Sequence, residues 1–262
     1  MTQQVTRGGR RWGARAGLHA LITGVALVLA QGTGLAAEGG MKLQPADINL
    51  ANEASLQRGA KYFMNYCAGC HSTEYVRYTH IADGLGLTHD QVAQNLIFTG
   101  QGIGETVKVA MDEQYAEAAF GVVPPDLSLT ARSRGTDWIY NYLKAFYPDP
   151  SRQVGVNNKV YPNSAMPHVL WNLQGEQRPV YEEVTTDGKS EKVFQGFEQV
   201  SEGLMSPGEY DRMVRDITAY MTYIAEPVRL ERQRLGLWVM FYLAVFFVFA
   251  YFLKKEYWKD VH

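Results

Sequence analysis

Cysteine is scarce in this chain, with two among 262 residues, at positions 67 and 70. No third thiol exists with which either could bridge to a distant segment, so a framework of structural disulfides is excluded. Internal repeats are absent, which argues against a solenoid or propeller. A basic surface is missing as well, because residues 38–228 hold 15 Lys and Arg against 24 Asp and Glu, a formal net of about −9. Nucleic-acid binding is disfavoured on that ground. The hydrophobic content of 46% is ordinary for a globular chain.

The ends are less ordinary. Arg7, Arg10, Arg11 and Arg15 precede an apolar run over residues 16–30 and a small-residue stretch ending at Ala36 and Ala37. This pattern predicts a secretory signal peptide over residues 1–37, cleaved near Ala37. Residues 235–253 form a stretch of 19 without a charge, which as a helix spans roughly 28 Å at about 1.5 Å per residue. Trp238, Tyr242 and Tyr251 lie near its ends, as expected of a membrane anchor. Arg229, Arg232 and Arg234 on one flank balance Lys254, Lys255 and Lys259 on the other, so flanking charge does not set the orientation. The signal peptide does. It predicts an exported domain over residues 38–228, an anchor helix over 229–254 and a short cytoplasmic tail over 255–262. The acidic excess of the exported part suits a docking field for a basic partner.

Between the ends, apolar residues Leu56, Ala60, Phe63 and Met64 predict a helix of about three turns ending at Tyr66. Residues 72–120 mix short helical pieces with loops, and glycines at 84, 86, 100, 102 and 104 suggest backbone wrapped closely around something. Residues 138–147 predict an aromatic-rich helix, preceded by Asp137 and stopped by Pro148 and Pro150. β-favouring residues over 180–200 flank Asp187-Gly188, the preferred core of a two-residue turn, and predict a hairpin. Ser206-Pro207-Gly208-Glu209 reads as a capping box opening a helix to about Ala225. The helix containing Leu56 is expected to pack near Met213, Ile217 and Tyr220, with Gly59 allowing a close crossing.

The two cysteines carry the chemistry. In Cys67-Ala68-Gly69-Cys70-His71 each thiol can add to a vinyl group of one haem, while the adjacent histidine becomes an axial ligand to the iron. A thioredoxin-like pair or half a zinc site would use the same cysteines, but no βαβ pattern surrounds them and no further cysteine completes a zinc set. A covalent cofactor would then supply apolar core that a loop-rich domain lacks. The sixth ligand must come from His19, His80, His89, His168, His262 or one of nine methionines. Context favours Met166, in Asn163-Ser164-Ala165-Met166-Pro167, where proline prevents a helix and a thioether can be presented from a loop. His168 is its rival and would lower the reduction potential.

Several ordered motifs give the chain a resemblance to the cytochrome c1 family, the haem subunit of ubiquinol-cytochrome c reductase, over nearly the whole exported part and the anchor. They are Leu56-Gln57-Arg58-Gly59, the Cys67 to His71 motif, Pro124-Pro125-Asp126-Leu127-Ser128, Ala131-Arg132-Ser133-Arg134, Ala165-Met166-Pro167 and the single C-terminal span. The resemblance implies one covalent haem c per chain held by Cys67 and Cys70, with His71 and Met166 on the iron. It also implies an arginine on a haem propionate, with Arg134 as the matching position and Arg132 as the alternative, and a haem-crevice wall that includes Pro125. Two departures stand out. Ala119-Phe120-Gly121-Val122-Val123 replaces an expected Asn- and Gly-containing stretch, and Trp138 stands where a tyrosine is usual.

The fold so implied is mostly α, a cytochrome c-like haem domain with loop insertions and a small β-hairpin, plus one C-terminal transmembrane helix. The function implied is electron transfer from the Rieske iron-sulfur protein to a c-type cytochrome, alongside a cytochrome b subunit, in a dimeric complex of a bacterial inner membrane with the haem domain in the periplasm. Nothing in the chain looks like a general acid or base, so it reads as a redox subunit rather than an enzyme by itself. A subunit of a terminal oxidase and a haem-based gas sensor are the alternatives.

Overall fold

The computed structural model describes residues 40–186 and 189–260. The expected signal peptide lies outside the described residues. Two long helices make the frame of the part that precedes the last helix. Helix α1 (Glu53–Tyr66) is capped by the Asn52 side chain, which accepts from the Ser55 N–H at 3.1 Å, and it buries Leu56, Ala60, Phe63 and Met64 as the sequence pattern predicts. Five shorter helices follow along the chain: α2 (Tyr78–Gly84), α3 (His89–Asn95), α4 (Glu113–Phe120), α5 (Thr130–Ser133) and α6 (Thr136–Lys144). After α7 (Trp171–Gln174) comes α8 (Pro207–Ala225), opened by the predicted capping box: Glu209 accepts from the Ser206 N–H and hydroxyl at 2.9 and 2.6 Å.

Helices α1 and α8 cross where Gly59 meets Asp216 and Tyr220. A Cβ at Gly59 would lie 2.0 Å from the Asp216 carbonyl oxygen and 2.8 Å from the Tyr220 Cβ, so only glycine permits this approach. Phe63 packs its ring on Tyr220 at 5.4 Å. Next to the crossing, the Asp216 carboxylate accepts from the Ser55 hydroxyl at 2.5 Å and from Arg58 at 2.6 and 3.0 Å. Helix α6 lies on the other flank of α8, where the Tyr210 hydroxyl donates to the Leu143 carbonyl at 2.8 Å.

Three differences from the sequence reading concern local structure. Helix α6 ends at Lys144 instead of Tyr147, because Phe146–Pro148 (β3) pairs antiparallel with Val156–Asn158 (β4). Pro148 biases the residue before it toward extended backbone, and the partner strand secures that state. Asp137 does not precede α6 but sits in its first turn, where it accepts from the Ala46 N–H at 2.8 Å and pins the N-terminal lead-in. Glycines 100, 102 and 104 have no protein atom near a built Cβ, whereas one at Gly84 would strike the Tyr223 side chain, so close protein packing explains Gly84 alone of these four.

The strand content also exceeds a single hairpin. Thr73–Arg77 (β1) pairs with Thr106–Val107 (β2), making with β3 and β4 two antiparallel pairs beyond the expected one. The expected hairpin is present and longer than predicted: Gln177–Thr186 (β5) and Lys189–Gln199 (β6) pair from Gln177 opposite Gln199 to Thr186 opposite Lys189. That register leaves two residues for the turn, as read from Asp187-Gly188, which themselves lie outside the described residues. Among the described residues the chain thus forms nine helices and three two-stranded pairs.

The last helix, α9 (Arg229–Tyr257), restarts after a break at Glu226, whose carboxylate accepts from Arg232 at 2.6 Å across it. Its apolar residues are exposed on all sides, Trp238, Met240, Phe247 and Phe249 among them. It is the one helix among the described residues long and apolar enough to cross a membrane. It continues three residues past the boundary at 254.

Candidate haem site

The C-terminus of α1 delivers the cysteine motif. Cys67 is the helix C-cap, its N–H bonded to the Phe63 carbonyl at 2.8 Å, and the Cys70 and His71 N–H groups both return to the Cys67 carbonyl at 3.1 and 2.9 Å. This tight turn gathers two thiols and an imidazole at one helix end. Both cysteines are free, Cys67 buried and Cys70 partly so. Burial pushes the Cys67 thiol up to about 12 and raises Cys70 as well. A dithiol redox pair depends on a thiolate with a lowered pKa, which this burial does not favour. Among the described residues no three His, Cys, Asp or Glu side chains form a group that could hold a metal ion directly.

His71 is aimed by Pro125. The Pro125 carbonyl lies 2.7 Å from Nδ1, and since a carbonyl only accepts, Nδ1 carries the proton and Nε2 the free lone pair. Nε2 has no hydrogen-bond partner among the described residues. Burial lowers the pKa of the ring against the raising influence of the Pro125 bond and the Asp126 charge, keeping it neutral. Pro125 is held in turn by its neighbours. Asp126 accepts from the Ser72 hydroxyl and the Glu74 N–H, each at 2.8 Å, and from the Ser128 N–H at 2.9 Å, while the Leu127 N–H donates to the Ser72 carbonyl at 2.9 Å. In the departing stretch before this segment, Gly121, at φ +74°, caps the end of α4, and Val122 and Val123 are exposed.

Met166 projects from a loop organised by two asparagines that the sequence reading missed. The Asn157 side-chain oxygen accepts from the Asn158 and Asn163 N–H groups, both at 2.8 Å. Asn158 accepts from Val160 and Tyr161 at 2.9 and 3.1 Å and donates to the Tyr142 carbonyl at 2.8 Å. Both are buried, an expensive place for an amide unless it organises backbone in this way. The pair of adjacent asparagines was the only signal, and its meaning depends on β4, which local pattern does not reveal. The Met166 N–H donates to Ser164 Oγ at 3.3 Å; the Tyr142 hydroxyl lies 2.7 Å from that oxygen and 3.4 Å from the Met166 sulfur.

Arg134 follows α5 and places its guanidinium 5.1 Å from the Trp138 ring and 5.3 Å from the Tyr161 ring. Trp138 stacks on Tyr142 at 4.8 Å, so Arg134 and Met166 are joined through one aromatic column, and the tryptophan substitution preserves a flat packing face. Arg132 is exposed in the last turn of α5. His168, the rival ligand, stacks on Phe146 at 5.0 Å with its Nε2 enclosed by protein, and burial lowers its pKa to about 4. That nitrogen cannot meet a cofactor unless the stack opens.

The residues present fit a c-type haem. Two neutral thiols precede a histidine whose outward nitrogen is unprotonated, and a thioether is held on a separate loop. His71 and Pro125 are brought into contact, as are Arg134 and the aromatic column leading to Met166.

Comparison with known proteins follows the same line. The Cytochrome C1 family matches residues 48–261. A cytochrome c1 of Allochromatium vinosum is 50% identical over 94% of this chain and 100% of its own length. A protein of Nitrosomonas europaea named ammonia monooxygenase gamma subunit is 44% identical over 85% of this chain and 90% of its own. A cytochrome c1 of Rhodospirillum rubrum is 26% identical over 93% of this chain and 97% of its own.

Proposed function

We propose that this chain, which belongs to the cytochrome c1 family, accepts single electrons from the Rieske iron-sulfur protein and passes them to a c-type cytochrome. Membership of the family makes it a haem-containing, membrane-anchored electron-transfer subunit of the cytochrome bc1 complex, with cytochrome b and Rieske partners. The reading adds one haem c per chain, which Cys67 and Cys70 would bind covalently, His71 Nε2 and the Met166 sulfur would hold at the iron and Arg134 would meet at a propionate. When bound, the haem supplies a one-electron iron couple. The complex is taken as a dimer in a bacterial inner membrane. The leader 1–37 is cleaved, residues 38–228 lie in the periplasm, 229–254 form the anchor and 255–262 reach the cytoplasm.

The single observation that carries this reading is the 2.7 Å contact from His71 Nδ1 to the Pro125 carbonyl. It fixes the tautomer a histidine needs to ligate through Nε2, at the end of a motif that presents two thiols beside it. If His71 and Met166 both held the iron, no position on it would be open to a substrate or gas. Quinol chemistry then belongs to another subunit.

The test is the optical spectrum and redox titration of the purified protein beside Met166→Leu, each with carbon monoxide. The parent is expected to bind no carbon monoxide and to show a weak sulfur-to-iron band, and the variant to lose the band and most of the potential. Carbon monoxide binding by the parent would mean an open iron and defeat the electron-transfer reading. Because the Nitrosomonas relative carries the name of an ammonia monooxygenase subunit, the assembly needs its own test: co-purification with cytochrome b and a Rieske protein is expected.

A further inference from the structure

We infer that Tyr142 and Ser164 are positioning residues that tune the electron-donating strength of the Met166 sulfur through a one-way ring of hydrogen bonds. The inference rests on the reading of Met166 as an iron ligand. Its geometry is already given: Met166 N–H to Ser164 Oγ at 3.3 Å, Ser164 Oγ to Tyr142 Oη at 2.7 Å and Tyr142 Oη to the Met166 sulfur at 3.4 Å.

Counting protons gives the ring its direction. Ser164 Oγ already accepts the Met166 amide proton and has one proton to donate. Tyr142 has one proton, and the thioether has none. If Tyr142 donated to Ser164, the sulfur contact would hold no proton. With Ser164 donating to Tyr142, and Tyr142 to the sulfur, every contact contains one.

The donor cannot easily turn away. The Tyr142 ring is stacked on Trp138 at an interplanar angle of 8° and meets Phe146 edge-on at 5.1 Å, its carbonyl is held by Asn158, and Ser164 is buried. A thioether sulfur has two lone pairs, one for the phenol and one for iron. Hydrogen bonding to the first withdraws electron density from the sulfur, weakens its donation to the second and so disfavours the more positive, oxidised iron. Tyr142 thereby raises the potential of a site whose ligands it does not join.

The experiment is a potentiometric titration with optical spectra on the purified membrane complex carrying the parent chain, Tyr142→Phe, Ser164→Ala, Ser164→Thr or Met166→Leu. Tyr142→Phe is expected to keep the sulfur-to-iron band and exclude carbon monoxide while its midpoint falls, by a shift equal to roughly a 3- to 10-fold change in the reduced-to-oxidised ratio, the effect of one hydrogen bond. Ser164→Ala should fall less, since Tyr142 keeps its proton but loses the donor that polarises it, and Ser164→Thr should hold the parent value. An unchanged or raised potential in Tyr142→Phe with the band intact overturns the inference and leaves the ligand reading standing. Should Tyr142→Phe fail to assemble haem, Ser164→Ala decides: a lowered potential supports the ring and an unchanged one overturns it. A Met166→Leu spectrum identical to the parent's would overturn both.

Discussion

At position 59 the two frame helices leave no room for a single methyl group. The atom a Cβ would strike is backbone oxygen on Asp216, which cannot rotate away as a side chain would, so α1 and α8 must separate. Gly59→Ala is expected to destabilise the domain by about 1–3 kcal/mol or more, read as a drop in thermal midpoint, because the displaced crossing also carries the Phe63 and Tyr220 contact. An unchanged midpoint would mean that the helices are free to slide. Gly59 was legible in the sequence, since it does its work within a local pattern, one face of a helix. Asn157 and Asn158 were not. Their side chains satisfy backbone groups of residues 158, 160, 161 and 163, and that role exists only once β3 and β4 have paired. Arg134 is intermediate: a family motif singled it out, but its placement over Trp138 and Tyr161 required the fold.

Helix α6 serves two neighbours because Tyr140 and Tyr142, two residues apart, point to nearly opposite sides of a helix. Tyr142 reaches the Met166 loop, while Tyr140 and Lys144 meet Asp211 and Arg215 of α8. Asp211 accepts from Lys144 at 2.5 Å, from Arg215 Nε at 2.8 Å and from the Tyr140 hydroxyl. Arg215 also donates to the Ala46 carbonyl, so one carboxylate ties together α6, α8 and the lead-in. Burial alone would raise the Asp211 carboxyl, but the hydrogen bonds from Arg215, Lys144 and Tyr140 outweigh it and hold the carboxyl well below the usual carboxylate range. A depressed folded-state pKa contributes stability that is complete above the unfolded value of about 4 and is lost as pH falls toward the lower folded value. Denaturant unfolding across a pH series should therefore show the parent weakening below about pH 4, with Asp211→Asn less stable at pH 7 by about 1–3 kcal/mol and flatter in acid. Equal acid limbs in the two proteins would remove Asp211 from the account. The element itself was read correctly in kind and wrongly in extent: the aromatic run through Tyr147 looks helical in one dimension, and the strand that captures Phe146 lies ten residues on.

Over the whole molecule the strongest division is between a domain with a buried core and a helix with none. Every apolar side of α9 faces outward, which in water would be a large uncompensated exposure and in lipid is the expected state. The length and composition of this span were plain in the sequence because a membrane imposes a requirement on one segment alone, whereas β1 paired with β2 depends on residues about thirty apart. Direction across the membrane is a separate matter, since three arginines before the span face three lysines after it. If the N-terminal leader decides, replacing Lys254, Lys255 and Lys259 by glutamine leaves the tail on the cytoplasmic side, because the haem domain is already exported when the span enters. If the flanks decide, the same change leaves positive charge only at Arg229, Arg232 and Arg234 and draws that end to the cytoplasm. Protease added to intact spheroplasts separates the two: cleavage of residues 38–228 from outside, in parent and variant alike, is the expected result, and protection of that domain in the variant would assign the orientation to the flanking charges.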